Sequence, residues 1–229
     1  MSRRKAEEEI LAGRITVNGS KAELGEKIDP ESDVVEYLGQ PVSDSSVQTV
    51  CIMLNKPKGY VSTMSDEKGR KCVKDLVSDL GVRVYPCGRL DLNSEGLLLM
   101  TNDGELANRL MHPKHHIPKV YHVRVSKTVD SELIKKLSSP MTIDGYRIKP
   151  AKAELISVGK NGMSDLKITL FEGRNRQIRK MCEQVGLNVI NLRRVAIGEI
   201  QIGNLKSGMW KKLSKEQIEY LMNYSKERE

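Results

Sequence analysis

The stretch Lys119-Val-Tyr-His-Val-Arg-Val125 alternates in polarity. Val120, His122 and Arg124 fall on one face and Tyr121, Val123 and Val125 on the other, the pattern of a strand with one buried side. Ile178, Met181, Cys182 and Val185 recur at i, i+3, i+4 and i+7, which predicts a helix with one apolar stripe, closed by Gly186. Reading the rest of the chain in the same way predicts strands at about 49–55, 97–102, 146–157, 164–171 and 188–202. It predicts helices at about 73–80, 104–111, 130–138, 175–185 and 214–224. Strands and helices in this irregular order, without a repeating βαβ rhythm, imply an α+β fold with a mixed, mostly antiparallel sheet flanked by helices.

The first 40 residues read differently. Arg3 to Ala12 is a charged helical segment with Ser2 as a candidate N-cap, Lys5 within reach of Glu8 and Glu9, and Gly13 as its stop. Ile15-Thr-Val17, the Asn18-Gly19 turn and a short strand near Val34-Val35 follow. Gly39-Gln-Pro-Val-Ser-Asp-Ser-Ser46 is rich in breakers and polar residues, so it reads as a linker. The expected organisation is a small domain at 1–40, a linker at 41–48, a main domain at 49–224 and a tail at 225–229.

Charge sharpens this division. The 229 residues carry a formal +8, but residues 1–44 hold six Lys/Arg against ten Asp/Glu, a net −4, and the remainder holds 32 against 20, a net +12. Residues 171–212 alone hold nine Lys/Arg against three Asp/Glu, a net +6. A basic body of this kind suits a polyanionic partner, although charge alone is equally compatible with a protein that binds no nucleic acid. With one Trp and one Phe, a repeated base-stacking platform is excluded. No apolar run approaches the ~20 residues that span a bilayer, and the N-terminus lacks a signal-peptide core. Four scattered cysteines, with no C-x-x-C pair, read as free thiols.

Two segments carry candidate chemistry. In Gly88-Arg-Leu-Asp-Leu-Asn-Ser-Glu-Gly96, Asp91 lies between Leu90 and Leu92. If both leucines anchor the loop, the carboxylate is fixed and needs a cationic partner; as an alternative, Asp91 is simply a turn residue. Asp103 and Glu95 read as cap and turn residues. In Phe171-Glu-Gly-Arg-Asn-Arg-Gln-Ile-Arg-Lys180, Arg176 and Lys180 fall on the polar helix face, whereas Arg179 falls beside the apolar stripe. A guanidinium there is either half of an internal ion pair or a snorkelling surface residue. Leu192-Arg193-Arg194 brings further cations. His112, His115 and His116 have no nearby Cys or acidic spacing to complete a metal site, so a polar loop is the default. P-loop, dinucleotide-binding and Ser-His-Asp signatures are absent from the sequence.

Four ordered segments, GRLDLNSEGLLLMTNDGELANRLMHP (88–113), KVYHV (119–123), EGRNRQIRKM (172–181) and LRRVAIGEI (192–200), closely resemble the bacterial ribosomal RNA pseudouridine synthases of the RsuA/RluB branch, over about residues 49–215. Residues 2–37 resemble the second half of an S4 RNA-binding domain, with the first helix of that domain lacking ahead of Met1. The resemblance implies a pseudouridine synthase fold, with Asp91 as the catalytic aspartate and Tyr121 as the ring that stacks on the target base. It implies Arg179 as the basic partner of the aspartate, Leu192 and Arg194 as an L-x-R motif beside the site, and Arg89 as a holder of the flipped nucleotide. Arg174, Arg176, Lys180, Arg3 and Arg4 are the further expected RNA contacts.

The implied reaction breaks the N1–C1′ bond of a uridine, turns the uracil and joins C5 to C1′, which requires neither metal nor cofactor. It requires a carboxylate, whether that attacks C6, attacks C1′ or deprotonates C2′, and extrusion of the base at a cost of roughly a few kcal/mol. The expected partner is structured ribosomal RNA, and the E-G-R-N-R-Q-I-R form of the helix motif points to the large-subunit (23S) molecule. The expected protein is a cytoplasmic monomer away from membranes. The rival readings are a non-catalytic RNA-binding protein with the same basic surface, and a metal-dependent nuclease, which would need an acidic cluster.

Overall fold

A computed structural model describes residues 1, 3–42 and 48–224. The chain divides into two compact units between Gln48 and Thr49. Ser2 and most of the linker and tail expectations fall outside the described residues.

The N-terminal unit begins with helix α1 (Arg3–Leu11). Gly13, at φ +66°, ends it in the left-handed conformation that a side chain disfavours. Strands β1 (Ile15–Val17), β2 (Ser20–Lys21), β3 (Val35–Tyr37) and β4 (Gln40–Pro41) form a four-stranded sheet in the order β2-β1-β3-β4. Asn18 and Gly19 both have positive φ and close the β1–β2 hairpin, as the Asn-Gly pair predicts. Lys5 pairs with Glu8 and Glu9 along α1.

The second unit is built on a mixed sheet. Its elements in chain order are β5 (Cys51–Lys56), a 3-10 segment (Val73–Leu80), β6 (Tyr85–Pro86), β7 (Glu95–Thr101), α2 (Gly104–Met111), β8 (Lys119–Val125) and α3 (Ser131–Ser138). The short hairpin β9 (Thr142–Ile143) and β10 (Tyr146–Arg147) comes next, then β11 (Lys152–Val158), β12 (Ser164–Leu170), α4 (Gln177–Gln184), β13 (Val189–Ile197), β14 (Ile200–Gln201), β15 (Trp210–Lys212) and α5 (Lys215–Asn223). The main strand order is β11-β12-β8-β13-β7-β5-β15, with β6 on β7 and β14 on β13. Every pairing is antiparallel except β13 with β7, which run parallel.

The central strands β5 and β7 are buried on both faces, so they read as unbroken apolar runs rather than as alternation. Ile52, Leu54, Leu98 and Met100 face one core with Val123 and with Ile178 and Met181 of α4. Cys51, Met53, Leu97 and Leu99 face the other, with Leu106 of α2 and Leu221 of α5. Strand β8 keeps Tyr121, Val123 and Val125 buried and His122 and Arg124 exposed, as its alternation predicts. Asp103 and Asp130 cap α2 and α3 by accepting backbone N–H bonds, and Ser214 forms a capping box with Gln217 on α5.

Three expected elements are corrected. The strand expected at 146–157 is two strands, β10 and β11, separated by residues that include Pro150, which has no N–H for a ladder. The strand expected at 188–202 folds back on itself at Gly198, whose φ of +56° turns β13 into β14. The helix expected at 73–80 is 3-10 in hydrogen bonding and is interrupted at Val77, whose backbone is not helical. The four cysteines are free and buried, and burial pushes the Cys51, Cys87 and Cys182 thiols up to about 12.

Candidate active site

The loop ahead of β7 is fixed from beneath. Leu90 is buried and anchors it, whereas Leu92 is exposed, so the expected pair of leucine anchors is in fact one. The second anchor is polar. Ser62 Oγ donates to the Leu90 carbonyl at 2.9 Å and accepts from the Leu90 N–H at 3.1 Å, and the Gly59 N–H donates to the Leu92 carbonyl. The Ser94 N–H closes a turn onto the Asp91 carbonyl. Lys56, at the end of β5, is fully buried, and its ammonium donates to the carbonyls of Pro57, Asp91 and Ser94. A buried ammonium needs such a complete set of acceptors. Burial pushes its pKa down to about 8, against the pull of Asp91 and Glu95. The sequence reading missed Lys56, because a lysine closing an apolar strand looks like an exit into solvent.

Asp91 thus stands on a clamped loop with its carboxylate about one-third exposed, at the edge of a cleft of about 650 Å³. Arg89, Tyr121, Arg174, Arg176, Leu192 and Arg194 line the same cleft, so elements far apart in sequence bring most of the expected set together. With Lys119 and Lys149, the lining carries six Lys/Arg side chains against the two carboxylates Asp91 and Glu172. Tyr121 arrives from β8 directly opposite Arg194 of β13. Arg194 is 3% exposed; its Nε donates to the Leu97 carbonyl at 2.7 Å, while its Nη2 is buried without a partner. Gly96 makes the crossing of β13 and β7 possible. A Cβ there would stand 2.2 Å from the Arg194 carbonyl oxygen, and its φ is +107°.

The expected ion pair between Asp91 and Arg179 does not form. The guanidinium closest to Asp91 is that of Arg176, at 3.9 Å. Arg179 instead donates to the carbonyls of Asn93 and Val189, which ties α4 to the Asp91 loop and to β13. Burial, followed by the nearby Arg176 charge, lowers its pKa, and Asp91 opposes that shift. The difference arises because α4 starts at Gln177, two residues later than expected, leaving Arg176 at φ +53° ahead of the helix rather than on its polar face. The Arg174 guanidinium carbon lies over the Tyr146 ring, 3.1 Å from its centroid. Lys180 pairs with Asp144 of the β9–β10 turn and does not line the cleft. Arg3 and Arg4 belong to the other unit and are exposed. His112 accepts from the Lys114 N–H, and His116 lies 2.7 Å from the Lys149 ammonium. Among the described residues no cluster of His, Cys, Asp or Glu is arranged to hold a metal, and no helix is long and apolar enough to cross a membrane.

A cleft of this form, with one clamped carboxylate, a buried tyrosine and a cationic wall, suits chemistry on a nucleotide of an RNA. Residues 50–184 match the RNA pseudouridylate synthase family model. The chain is 41% identical over 222 residues to ribosomal large subunit pseudouridine synthase B of Bacillus subtilis, spanning 96% of this chain and 90% of that protein. It is likewise 41% identical over 223 residues to an uncharacterized RNA pseudouridine synthase of Aquifex aeolicus, covering 96% and 88%. A crystal structure of a pseudouridylate synthase superposes with a TM-score of 0.70 at 27% identity, covering 96% of this chain and 94% of that one. The chain belongs to the RNA pseudouridine synthase family.

Proposed function

We propose that the protein converts one uridine of large-subunit (23S) ribosomal RNA to pseudouridine. The observation that carries this reading is the near-full-length kinship with the large-subunit synthase of Bacillus subtilis, at 41% identity; the Haemophilus influenzae synthase is 40% identical over 96% of this chain and 63% of its own length. Asp91 is the reacting carboxylate, held by its clamped loop. Tyr121 holds the uracil while it is detached and turned. Arg176, 3.9 Å from the Asp91 carboxylate, meets RNA phosphates at the mouth of the cleft, and Arg179 acts on Asp91 through the loop. Leu192 and Arg194 form the floor, and Arg89 and Arg174 meet phosphates of the flanking nucleotides. No step of this scheme calls for a metal or a cofactor. A structured hairpin that presents an extrudable uridine is the expected substrate form.

Residues 1–40 act as an S4-like RNA-binding unit, and Arg3 and Arg4, exposed on α1, are its proposed phosphate contacts. Because Asp91, Tyr121 and Arg194 of one chain line one cleft, a monomer suffices, and ribosomal RNA as substrate favours the cytoplasm. Mapping pseudouridines in rRNA from a deletion strain tests the proposal. One 23S pseudouridine should disappear, and a loss confined to 16S RNA, or no loss, would contradict it.

A further inference from the structure

Lys119 opens β8 two residues before Tyr121, so strand alternation directs both side chains to the cleft, whose lining includes both. The Lys119 ammonium donates to the Ile117 carbonyl at 3.0 Å, and among the described residues no carboxylate pairs with it. It stands close enough to Arg194 for the two cations to repel. Arg194 in turn keeps its buried Nη2 without an acceptor. Two desolvated cations beside each other, both with unused donors, are costly unless a negative charge arrives between them.

The reaction supplies such a charge. When the N1–C1′ bond breaks heterolytically, the bonding pair leaves with N1, and the uracil carries a negative charge spread over N1, O2 and O4. C1′ is satisfied either by a new bond to an Asp91 oxygen or by loss of the C2′ proton to Asp91, giving a C1′=C2′ double bond. In the second route the proton returns to C2′ when C5 joins C1′. In the first route the Asp91–C1′ bond breaks as C5 joins C1′, which returns the carboxylate. In both routes the C5 proton is then lost to water and N1 takes up a proton from water, so the product is an isomer of the substrate.

We propose that Lys119, with Arg194, forms the charge-stabilising floor for the detached uracil anion, its ammonium donating to a uracil oxygen in the transition state. The inference rests on the pseudouridine synthase reading. Donors fixed in advance where charge develops, in a water-poor site, are worth about 10²–10³ in rate each. They act on the chemical step rather than on RNA binding. Burial pushes Lys119 down to about 8 in the free protein, with Arg194 as the second cause. The other charged or titratable groups lining its surroundings are Cys87 after β6, Asp91 and Arg89 of the loop, Tyr121 of β8, His112 and His116, Tyr146 and Lys149 of the hairpin segment, and Glu172, Arg174 and Arg176.

The test is single-turnover tritium release from 5-³H-uridine-labelled rRNA transcript, using whichever subunit RNA the wild type modifies, from pH 6.5 to 9.5. Absence of turnover by the wild type on either RNA would overturn the underlying reading separately. Lys119→Met and Lys119→Gln should lower the rate constant about 100-fold or more, with RNA affinity within about threefold. Lys119→Arg should retain most of the rate, and its alkaline limb should move above the wild-type limb near pH 8, because arginine stays charged. Folding is checked by thermal melting, and Lys119→Gln decides if Lys119→Met does not fold. A Lys119→Gln rate within threefold of wild type, a loss confined to RNA affinity, or a limb left in place in Lys119→Arg would each overturn the proposal.

Discussion

The Lys56 ammonium lies 3.2 Å from the backbone carbonyl oxygen of Asp91 and 2.8 Å from that of Ser94. A fully buried cation therefore holds the main chain of the loop that carries the proposed reacting carboxylate. The lysine is spent on backbone acceptors, which leaves the Asp91 carboxylate free to face the cleft.

Replacing Lys56 with Met removes the ammonium from three carbonyls, of which that of Asp91 keeps the Ser94 N–H. Bonds to charged groups are worth about 1.5–3 kcal/mol each, partly recovered by relaxation, so Lys56→Met should cost about 2–4 kcal/mol and reduce turnover at least tenfold. The pH dependence has a definite sign. The folded pKa of Lys56 is about 8, below that of an unfolded lysine near 10.4, so the unfolded chain binds more protons between those values. The wild-type advantage over Lys56→Met, read from denaturant titrations, should then grow from about pH 8 to pH 10 and be flat below pH 7.

Gly96 should tolerate no side chain. Its positive φ and the 2.2 Å approach of the Arg194 carbonyl act together, and the obstructing atom is backbone. Gly96→Ala should destabilise the second unit by about 3 kcal/mol, lowering Tm by roughly 6–12 °C. An unchanged melting curve would mean that β7 and β13 separate without cost.

The two arginines near Asp91 should separate in their effects. Arg176 is exposed and lies 3.9 Å from the carboxylate, so Arg176→Ala should weaken RNA binding and reduce the slope of log K against log salt by about 1. Arg179 holds Asn93 and Val189 carbonyls, so Arg179→Ala should lower kcat about 10–100-fold with KM little changed. Filter binding across a salt series and steady-state kinetics check the two.

The parts of the site that are legible in the sequence are those carried by local pattern. Alternation puts Tyr121 on the inner face of β8, and the i, i+3, i+4 stripe gives α4 its buried side. Lys56 is not legible, because nothing local distinguishes a lysine that meets three carbonyls from one that meets water. The identity of the Asp91 partner also escapes local reading. A helical wheel ranks Arg179 above Arg176, but only the true start of α4 and the left-handed backbone at Arg176 decide which guanidinium comes nearer the Asp91 carboxylate. Short elements such as β9, β10 and β15 exist through their partners rather than through their own two or three residues.

In the proposed division of labour Asp91 is the reacting carboxylate, while the exposed cleft cations Arg89, Arg174 and Arg176 bind the RNA. Tritium release from 5-³H-uridine rRNA by Asp91→Ala, measured beside its RNA affinity, tests both halves at once. Loss of all detectable release, with affinity within about threefold of wild type, is the predicted result. Substantial release by the variant would contradict it.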